Sequence, residues 1–196
     1  PQGGTIRLTG DQKVSPFNEL VAPGNLQICV ENTCVTLIER QHIYARSFET
    51  EVVVHLSFLR LSGGFATNPG GSIYVYNLKD AGSIWHITSC VFEGCKSSEP
   101  YCAIDGGSIN IGLQPLTTHK VVVNIKDSHF KNIRAKNNGG AISLTDMRSS
   151  SGLASSELNI EGSTFEECST VLYNGGAVRA HSDTTILKVK ITSSTF

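Results

Sequence analysis

Short stretches in which apolar and polar residues alternate run through most of this chain. Residues 141–144 (Ala-Ile-Ser-Leu) and 158–160 (Leu-Asn-Ile) are two of them, and clusters of Gly, Ser or Asn separate one stretch from the next. Alternation with a period of two is typical of β-strands that bury one face. No stretch combines helical spacing of apolar residues with helix caps. The pattern predicts an all-β chain built from short strands.

Two sequence phrases recur along the chain. The first is a glycine pair followed by a small residue and a β-branched residue, and its first glycines stand at intervals of 36, 33 and 36 residues: Gly70, Gly106, Gly139 and Gly175. The second phrase ends in phenylalanine, at intervals of 38, 35 and 31 residues: Phe92, Phe130, Phe165 and Phe196. A period in this range is the signature of stacked repeats, in which each repeat buries its apolar face on the next.

Aligning the repeats places similar residues in the same column. Five positions before the phenylalanines, with Phe58 taken for the first repeat, stand Val53, Ile87, Ile125, Ile160 and Ile191. Two positions before the later phenylalanines stand Cys90, Ser128, Ser163 and Ser194. Three positions after the first glycine, with Gly3-Gly4 counted as a pair, stand Ile6, Ile73, Ile109, Ile142 and Val178, and two positions further on stand Leu8, Val75, Ile111, Leu144 and Ala180.

The simplest structure that stacks like residues on each other is a parallel β-helix, a solenoid with one coil for every 33–38 residues. Neighbouring coils would then pair as parallel strands about 4.8 Å apart. We expect one domain over residues 1–196, with irregular coils in residues 1–52 and regular repeats in residues 53–196. Residues 26–29 and 35–37 should be strands. Because neither end resembles a capping repeat, we expect a fragment of a longer array.

The residues before the glycine pairs favour turns. They are Pro69, Asp105, Asn138 and Asn174. Asn-Gly and Asp-Gly are typical of turns that need a positive φ, which glycine adopts without a steric penalty. We therefore expect a corner of the coil at each pair.

Composition excludes two classes of function. The formal net charge is −1 and the basic residues are scattered, so nothing indicates a nucleic-acid partner. Purely aliphatic runs are short, as in residues 52–54, and fall far short of the roughly 20 residues that span a bilayer. We expect no membrane insertion of this segment.

Six cysteines favour an oxidising, extracellular compartment. Cys95 and Cys102 close a short turn and form the preferred disulfide. Cys29 and Cys34 are a second candidate pair, provided that the chain turns back between them, because extended residues would hold them too far apart. Cys90 and Cys168 then remain as free thiols.

Candidate chemistry is sparse. Glu93, Lys131 and Glu166 follow the phenylalanines and alternate in sign, which is typical of a solvated row of ion pairs rather than of a catalytic acid pair. The six histidines lack metal-ligand spacing. Tyr74 and Tyr76 share one outward face and are candidates for stacking on sugar rings or contacting a partner. We expect no catalytic residue, cofactor or metal.

The motif Gly139-Gly140-Ala141-Ile142, together with the segments that begin at Phe92, Phe130 and Phe165, resembles the repeat of the polymorphic outer membrane proteins. These are bacterial autotransporter adhesins, and related repeats occur in surface proteins of protists. The resemblance covers roughly residues 53–196. It implies a right-handed parallel β-helix in an extracellular passenger or surface domain, and it carries no catalytic residues over to this chain.

These observations favour a non-enzymatic, secreted or cell-surface β-helix module with a structural or adhesive role, such as a stalk or filament segment. Its partners would be further copies stacked end to end, or a glycan or protein of a cell surface. The alternative is a carbohydrate-active enzyme of the polysaccharide lyase or hydrolase type, which would need converging carboxylates on one outward face.

Overall fold

The structure is a computed structural model. It describes residues 5–9, 27–30, 33–36, 43–46, 52–66, 69–76, 83–94, 100–113, 120–146, 156–182 and 187–196. These residues form twenty strands and no helix. In chain order the strands are β1 (Thr5–Thr9), β2 (Gln27–Val30), β3 (Thr33–Thr36), β4 (Ile43–Arg46), β5 (Val52–Ser57), β6 (Arg60–Ser62), β7 (Ile73–Tyr76), β8 (Ser83–Thr88), β9 (Val91–Glu93), β10 (Ala103–Asp105), β11 (Ile109–Leu113), β12 (Val121–Lys126), β13 (His129–Lys131), β14 (Arg134–Asn138), β15 (Ile142–Asp146), β16 (Ser156–Glu161), β17 (Thr164–Glu166), β18 (Ser169–Thr170), β19 (Val178–Ser182) and β20 (Leu187–Thr192).

Each of four sheets takes one strand from successive repeats. We name them the long sheet (β1-β5-β8-β12-β16-β20), the glycine sheet (β4-β7-β11-β15-β19), the phenylalanine sheet (β6-β9-β13-β17) and the short sheet (β10-β14-β18). Within these sheets every strand pair is parallel except β1 with β5. The prediction of an all-β chain whose repeats pair through parallel strands is confirmed.

Equivalent residues of neighbouring repeats lie directly beside each other. Phe130 pairs with Phe92 on one side and with Phe165 on the other, and Ile109 pairs with Ile142. The rings of Phe92, Phe130 and Phe165 are stacked with centroids 4.7 Å apart, which is the spacing between neighbouring strands. All these side chains are buried. The predicted apolar columns therefore form the core.

The first repeat is aligned differently from the prediction. Leu61 rather than Phe58 pairs with Phe92, and Leu56 rather than Val53 pairs with Ile87. Phe58 has a φ of 56° and is 45% exposed. It occupies the left-handed corner between two strands that Ser89 and Asp127 occupy in later repeats. The three-residue error arose because Phe58 was matched by residue type, whereas burial of Leu56 and Leu61 sets the register.

The N-terminal residues also depart from the predicted columns. Ile6 and Leu8 lie in the long sheet, where antiparallel β1 sets them beside Leu56 and Val54. In the glycine sheet it is Ile43 that pairs with Ile73. An alternating pattern reads the same in both chain directions, so it could not distinguish a parallel strand from an antiparallel one. β2 and β3 form an antiparallel hairpin close to the predicted strands, and β2 lies against β6.

The two glycines of a pair have different roles. Gly139 has a φ of 57°, as the turn prediction required. Gly140 does not have a positive φ, but a Cβ atom there would collide with the carbonyl oxygen of Gly176 and lie 2.5 Å from the amide nitrogen of Ser169. The second glycine therefore allows the corner to pack against the next repeat.

The column of Cys90 and the serines joins the repeats through hydrogen bonds. The backbone N–H of Cys90 donates to Ser128 Oγ (3.2 Å), and the N–H of Ser128 donates to Ser163 Oγ (3.1 Å). Each serine hydroxyl in turn donates to a carbonyl of its own repeat, as Ser128 Oγ does to Lys126 (2.9 Å). Ser128 and Ser163 are buried, so these bonds satisfy polar groups inside the core.

Candidate functional site

The outward face of the glycine sheet contains both tyrosines singled out in the sequence. β7 holds Tyr74 and Tyr76, which lie beside Asn110 and Gly112 of β11. Tyr74 is half-buried, and the side chain of Tyr76 lies outside the described residues. Tyr44 of β4 is the neighbour of Tyr74 on the other side. The backbone therefore brings aromatic positions together on this face.

The row that begins at Tyr74 continues with polar residues. Asn110, Ser143 and Arg179 follow in register on β11, β15 and β19, and the first two are buried although they occupy outward positions. Arg179 Nη1 donates to Thr145 Oγ1 (3.1 Å). Among the residues that the structure describes, Ser143 Oγ is the buried side-chain polar atom without a hydrogen-bond partner. An unsatisfied buried hydroxyl costs about 1–3 kcal/mol, so this position lowers the stability of the glycine sheet.

The charged residues of the phenylalanine sheet form ion pairs between repeats. Lys131 Nζ lies 3.0 Å from Glu166 Oε1, and this hydrogen bond raises the pKa of Lys131 and lowers that of Glu166. Arg60 Nε donates to Glu93 Oε2 (3.2 Å). The predicted pairing of Lys131 with Glu166 is confirmed. A carboxylate held ionised by a cation is poorly suited to act as a general acid.

The long sheet carries a second set of ion pairs. Glu157 Oε1 lies 2.9 Å from Lys120 Nζ and 3.8 Å from Lys188 Nζ, and the hydrogen bond from Lys120 is the main cause that lowers the pKa of Glu157. Lys126 Nζ lies 3.4 Å from Glu161 Oε1. Charges of opposite sign thus alternate from one repeat to the next on this face.

Two polar columns were missed by the sequence analysis. On the long sheet, Asn159 Nδ2 donates to Asn124 Oδ1 (3.0 Å), and the rings of His55 and His86 are stacked 4.7 Å apart. Burial, followed by repulsion from His55, lowers the pKa of His86. The signal was present in the sequence, because these residues fall in one column when the repeats are aligned correctly.

The second missed column lies before the glycine pairs. Asp105 Oδ1 accepts hydrogen bonds from the backbone N–H of Asn138 (3.1 Å) and from its Nδ2 (2.9 Å). Asn138 Oδ1 accepts one from the N–H of Asn174 (3.4 Å). These side chains were expected to favour the turn, and they also connect successive turns.

The cysteines lie in different environments. Cys90 and Cys168 are free thiols, as predicted, and burial raises the pKa of both, that of Cys168 to about 11. Cys102 is buried and disulfide-bonded, and Cys95 lies outside the described residues. Cys29 and Cys34 are directly opposite in the β2–β3 hairpin, so the chain does turn back between them. Both disulfide pairings stay predictions.

The last repeat exposes its apolar columns. Ile191 is 42% exposed and Phe196 is 60% exposed, whereas Ile160 and Phe165 in the preceding repeat are at most 4% exposed. The ring of Phe196 still stacks on that of Phe165 at 4.7 Å. β19 and β20 are the edge strands of their sheets. We call this surface the open end.

In the described part of the chain, no three His, Cys, Asp or Glu side chains lie close enough to hold a metal ion. The same residues include no helix long and apolar enough to cross a membrane. Comparisons with protein-family models, with curated proteins and with solved structures find no match for this chain.

Proposed function

We propose that the stacked repeats form a right-handed parallel β-helix of the kind found in the polymorphic outer membrane proteins. The in-register parallel pairing of four sheets supports this proposal, since each strand reaches its sheet neighbour only after the chain has passed through the other sheets. Connections between parallel strands of one sheet are right-handed in about 98% of cases. The left-handed corners near Asp127, Asn132 and Gly139 would turn the chain from one sheet to the next.

The function that this arrangement supports best is that of a non-enzymatic structural or adhesive module, such as a stalk or filament segment. The observation that carries the proposal is the stacked core of Phe92, Phe130 and Phe165, because identical contacts repeated along an axis give a rigid scaffold. The disulfide at Cys102 supports an extracellular or cell-surface location.

The glycine sheet supplies the most suitable contact surface for a cell-surface glycan. Tyr74 offers a ring for stacking, and Arg179 offers a guanidinium group in the same row. Arg179 lies three strands from Tyr74 in the register, about 14 Å at the spacing of stacked strands. An extended sugar chain that lies along the row would reach both groups.

A glycan array followed by a degradation assay tests the proposed function. We expect saturable binding of one class of surface glycan, loss of that binding in Tyr74→Ala and Arg179→Ala, and no release of reducing ends. Tyr173→Ala is the matched control, because Tyr173 is exposed outside this face. Release of sugar fragments by the purified chain would instead favour the polysaccharide lyase or hydrolase alternative.

A further inference from the structure

The corner between the short sheet and the glycine sheet contains an asparagine followed directly by a glycine. Asn138 is the last residue of β14 and is half-buried, and Gly139 follows it with a φ of 57°. The backbone nitrogen that follows an asparagine can attack the side-chain amide, and glycine hinders this attack least because it has no Cβ atom. Asparagine is one of the thermolabile residues that heat-stable proteins avoid. The chemistry of this corner therefore favours spontaneous deamidation.

Hydrogen bonds to neighbouring repeats hold both groups that would react. Asn138 Nδ2 and the backbone N–H of Asn138 donate to Asp105 Oδ1 (2.9 and 3.1 Å), and Asn138 Oδ1 accepts from the N–H of Asn174 (3.4 Å). The N–H of Gly139, whose nitrogen would attack, donates to the carbonyl oxygen of Asn174 (3.0 Å). The side-chain amide must turn towards the Gly139 nitrogen before the two can react, so the corner has to open first.

We propose that Asn138 is a deamidation site that reacts when this corner opens, and that its product weakens the contact between two repeats. In the reaction the Gly139 nitrogen gives its proton to hydroxide and bonds to Cγ of Asn138. The bond from Cγ to Nδ2 breaks, and Nδ2 takes up a proton from water and leaves as ammonia. Water then opens the cyclic imide and leaves a carboxylate at position 138, with the backbone running through either its original carbonyl or the former side chain.

The product lacks the donor that now bonds to Asp105. Two carboxylates would face each other where Asn138 Nδ2 lies 2.9 Å from Asp105 Oδ1. Like charges this close repel each other, and they relieve the repulsion by sharing a proton in acid. The contact between repeats is therefore weakened at pH 7. Because water does not reverse the loss of ammonia, each reaction is permanent and sets a chemical limit on the lifetime of the module.

Incubation of the 196-residue chain at mildly alkaline pH, followed by mass spectrometry of its tryptic peptides, tests the reaction. We expect exchange of NH2 for OH at Asn138 to be at least tenfold slower in the folded chain than in the chain unfolded in urea, as an opening free energy of about 1.4 kcal/mol would cause. Asn137 is the internal control, because no glycine follows it, and it should react much more slowly than Asn138 in urea. Equal rates at Asn138 in the folded and unfolded chains, or no reaction there in either, would overturn the inference.

Asn138→Asp supplies the product directly. Its free energy of unfolding in urea should be lower than that of the wild type at pH 7, and the difference should shrink as the pH falls towards about 4, where the two carboxylates share a proton. Asp105→Asn added to this variant restores one donor and one acceptor, so the double variant should recover most of the loss. Asn132→Asp is the matched control, since it adds the same charge at an exposed position. An Asn138→Asp chain as stable as the wild type at pH 7, or a double variant no more stable than the single one, would refute the proposed effect of the product.

Discussion

At the scale of single residues, the structure depends on positions where the addition or loss of one atom changes the contact with the next repeat. Glycine pairs, buried serines and free thiols all lie where two repeats meet. Cys168 Sγ, for example, lies 3.5 Å from the carbonyl oxygen of Phe130, one repeat away. Substitutions at these positions act between repeats rather than within one.

Gly140→Ala tests the close approach of two corners. The added Cβ would meet backbone atoms of Ser169 and Gly176, which cannot move aside as a flexible side chain can. We expect a loss of about 1–3 kcal/mol in the free energy of unfolding, the range for overpacking. Gly176→Ala is the comparison, because a Cβ there meets nothing within 4 Å and only the positive φ of 25° opposes it, so it should cost less. Urea denaturation measures both, and equal losses would contradict the explanation.

Alkylation of Cys168 tests its burial. With a pKa of about 11 the thiol would be ionised in roughly one molecule in a thousand at pH 8, and only the thiolate reacts. Iodoacetamide should therefore label native Cys168 at least a hundredfold more slowly than the unfolded chain, and the rate should rise about tenfold per pH unit up to pH 11. A rate that levels off near pH 9, measured by mass spectrometry, would show an ordinary thiol.

At the scale of elements, each sheet is stabilised by columns of like residues. The buried phenylalanines stack in one column, and the histidines and asparagines of the outer face lie in another. Each residue of a column has a neighbour on both sides, except the two terminal residues. The same substitution should therefore cost less stability at the end of a column than in its middle.

Phe130→Ala tests the aromatic column. Phe130 is fully buried between two other rings, so its removal leaves a cavity that backbone pairing prevents from closing. We expect a loss of about 3–5 kcal/mol in the free energy of unfolding. Phe196→Ala, at the exposed end of the same column, should cost less than half as much. Thermal unfolding of the two variants makes the comparison, and similar midpoints would show that ring stacking is not the source of the stability.

His86→Asn tests whether the histidine in the outer column makes the stability of the fold depend on pH. Since the pKa of His86 is lowered in the folded state, its contribution to stability is present above pH 6.5 and is lost as pH falls through the lower native value. The variant extends the asparagine column and removes this titration, so its stability should fall less between pH 7 and pH 5. His181→Asn, on another sheet, serves as the control. Equal pH dependence of wild type and His86→Asn would refute the assignment.

At the scale of the whole molecule, the two ends of the stack differ. Antiparallel β1 covers one edge of the long sheet, whereas β20 forms the other edge with its apolar residues partly exposed. In arrays whose repeats contact only their neighbours, the stability of each repeat depends on how many neighbours it has. Among the described residues, the repeat that contains β19 and β20 is paired on one side.

Limited proteolysis with trypsin tests this difference. Lys188 and Lys190 lie on the edge strand, whereas Lys126 and Lys131 lie on strands paired on both sides. We expect cleavage after Lys188 or Lys190 well before cleavage after the other two, because local opening is easiest where pairing is least complete. Early products that end at Lys131 would show that the middle repeats open first.

Most of the pairing could be predicted from the sequence, because each buried apolar residue lies opposite another apolar residue in the next repeat. Ile109 with Ile142 and Phe130 with Phe165 follow from this rule alone. The first repeat could not be aligned by residue type, since Phe58 lies at a corner and Leu61 has the buried place. The antiparallel direction of β1 could not be predicted either, because alternation carries no sense of direction.

The candidate site was less predictable than the fold. The stacking of His55 on His86 could be predicted only with the first repeat aligned by its buried residues, and the exposure of Lys188 depends on three-dimensional neighbours that the alternation does not specify. The ion pair of Lys131 with Glu166 was predictable because both residues follow a phenylalanine of the core, which fixes their register.

The register of the glycine sheet has a consequence for molecular length. Ile73, Ile109 and Ile142 are successive neighbours, so removal of residues 109–141 would bring Ile142 beside Ile73 and Phe165 beside Phe92 in the apolar columns. Whole repeats can therefore be gained or lost without disturbing the remaining pairs, and such a protein can vary its reach in increments of about 4.8 Å.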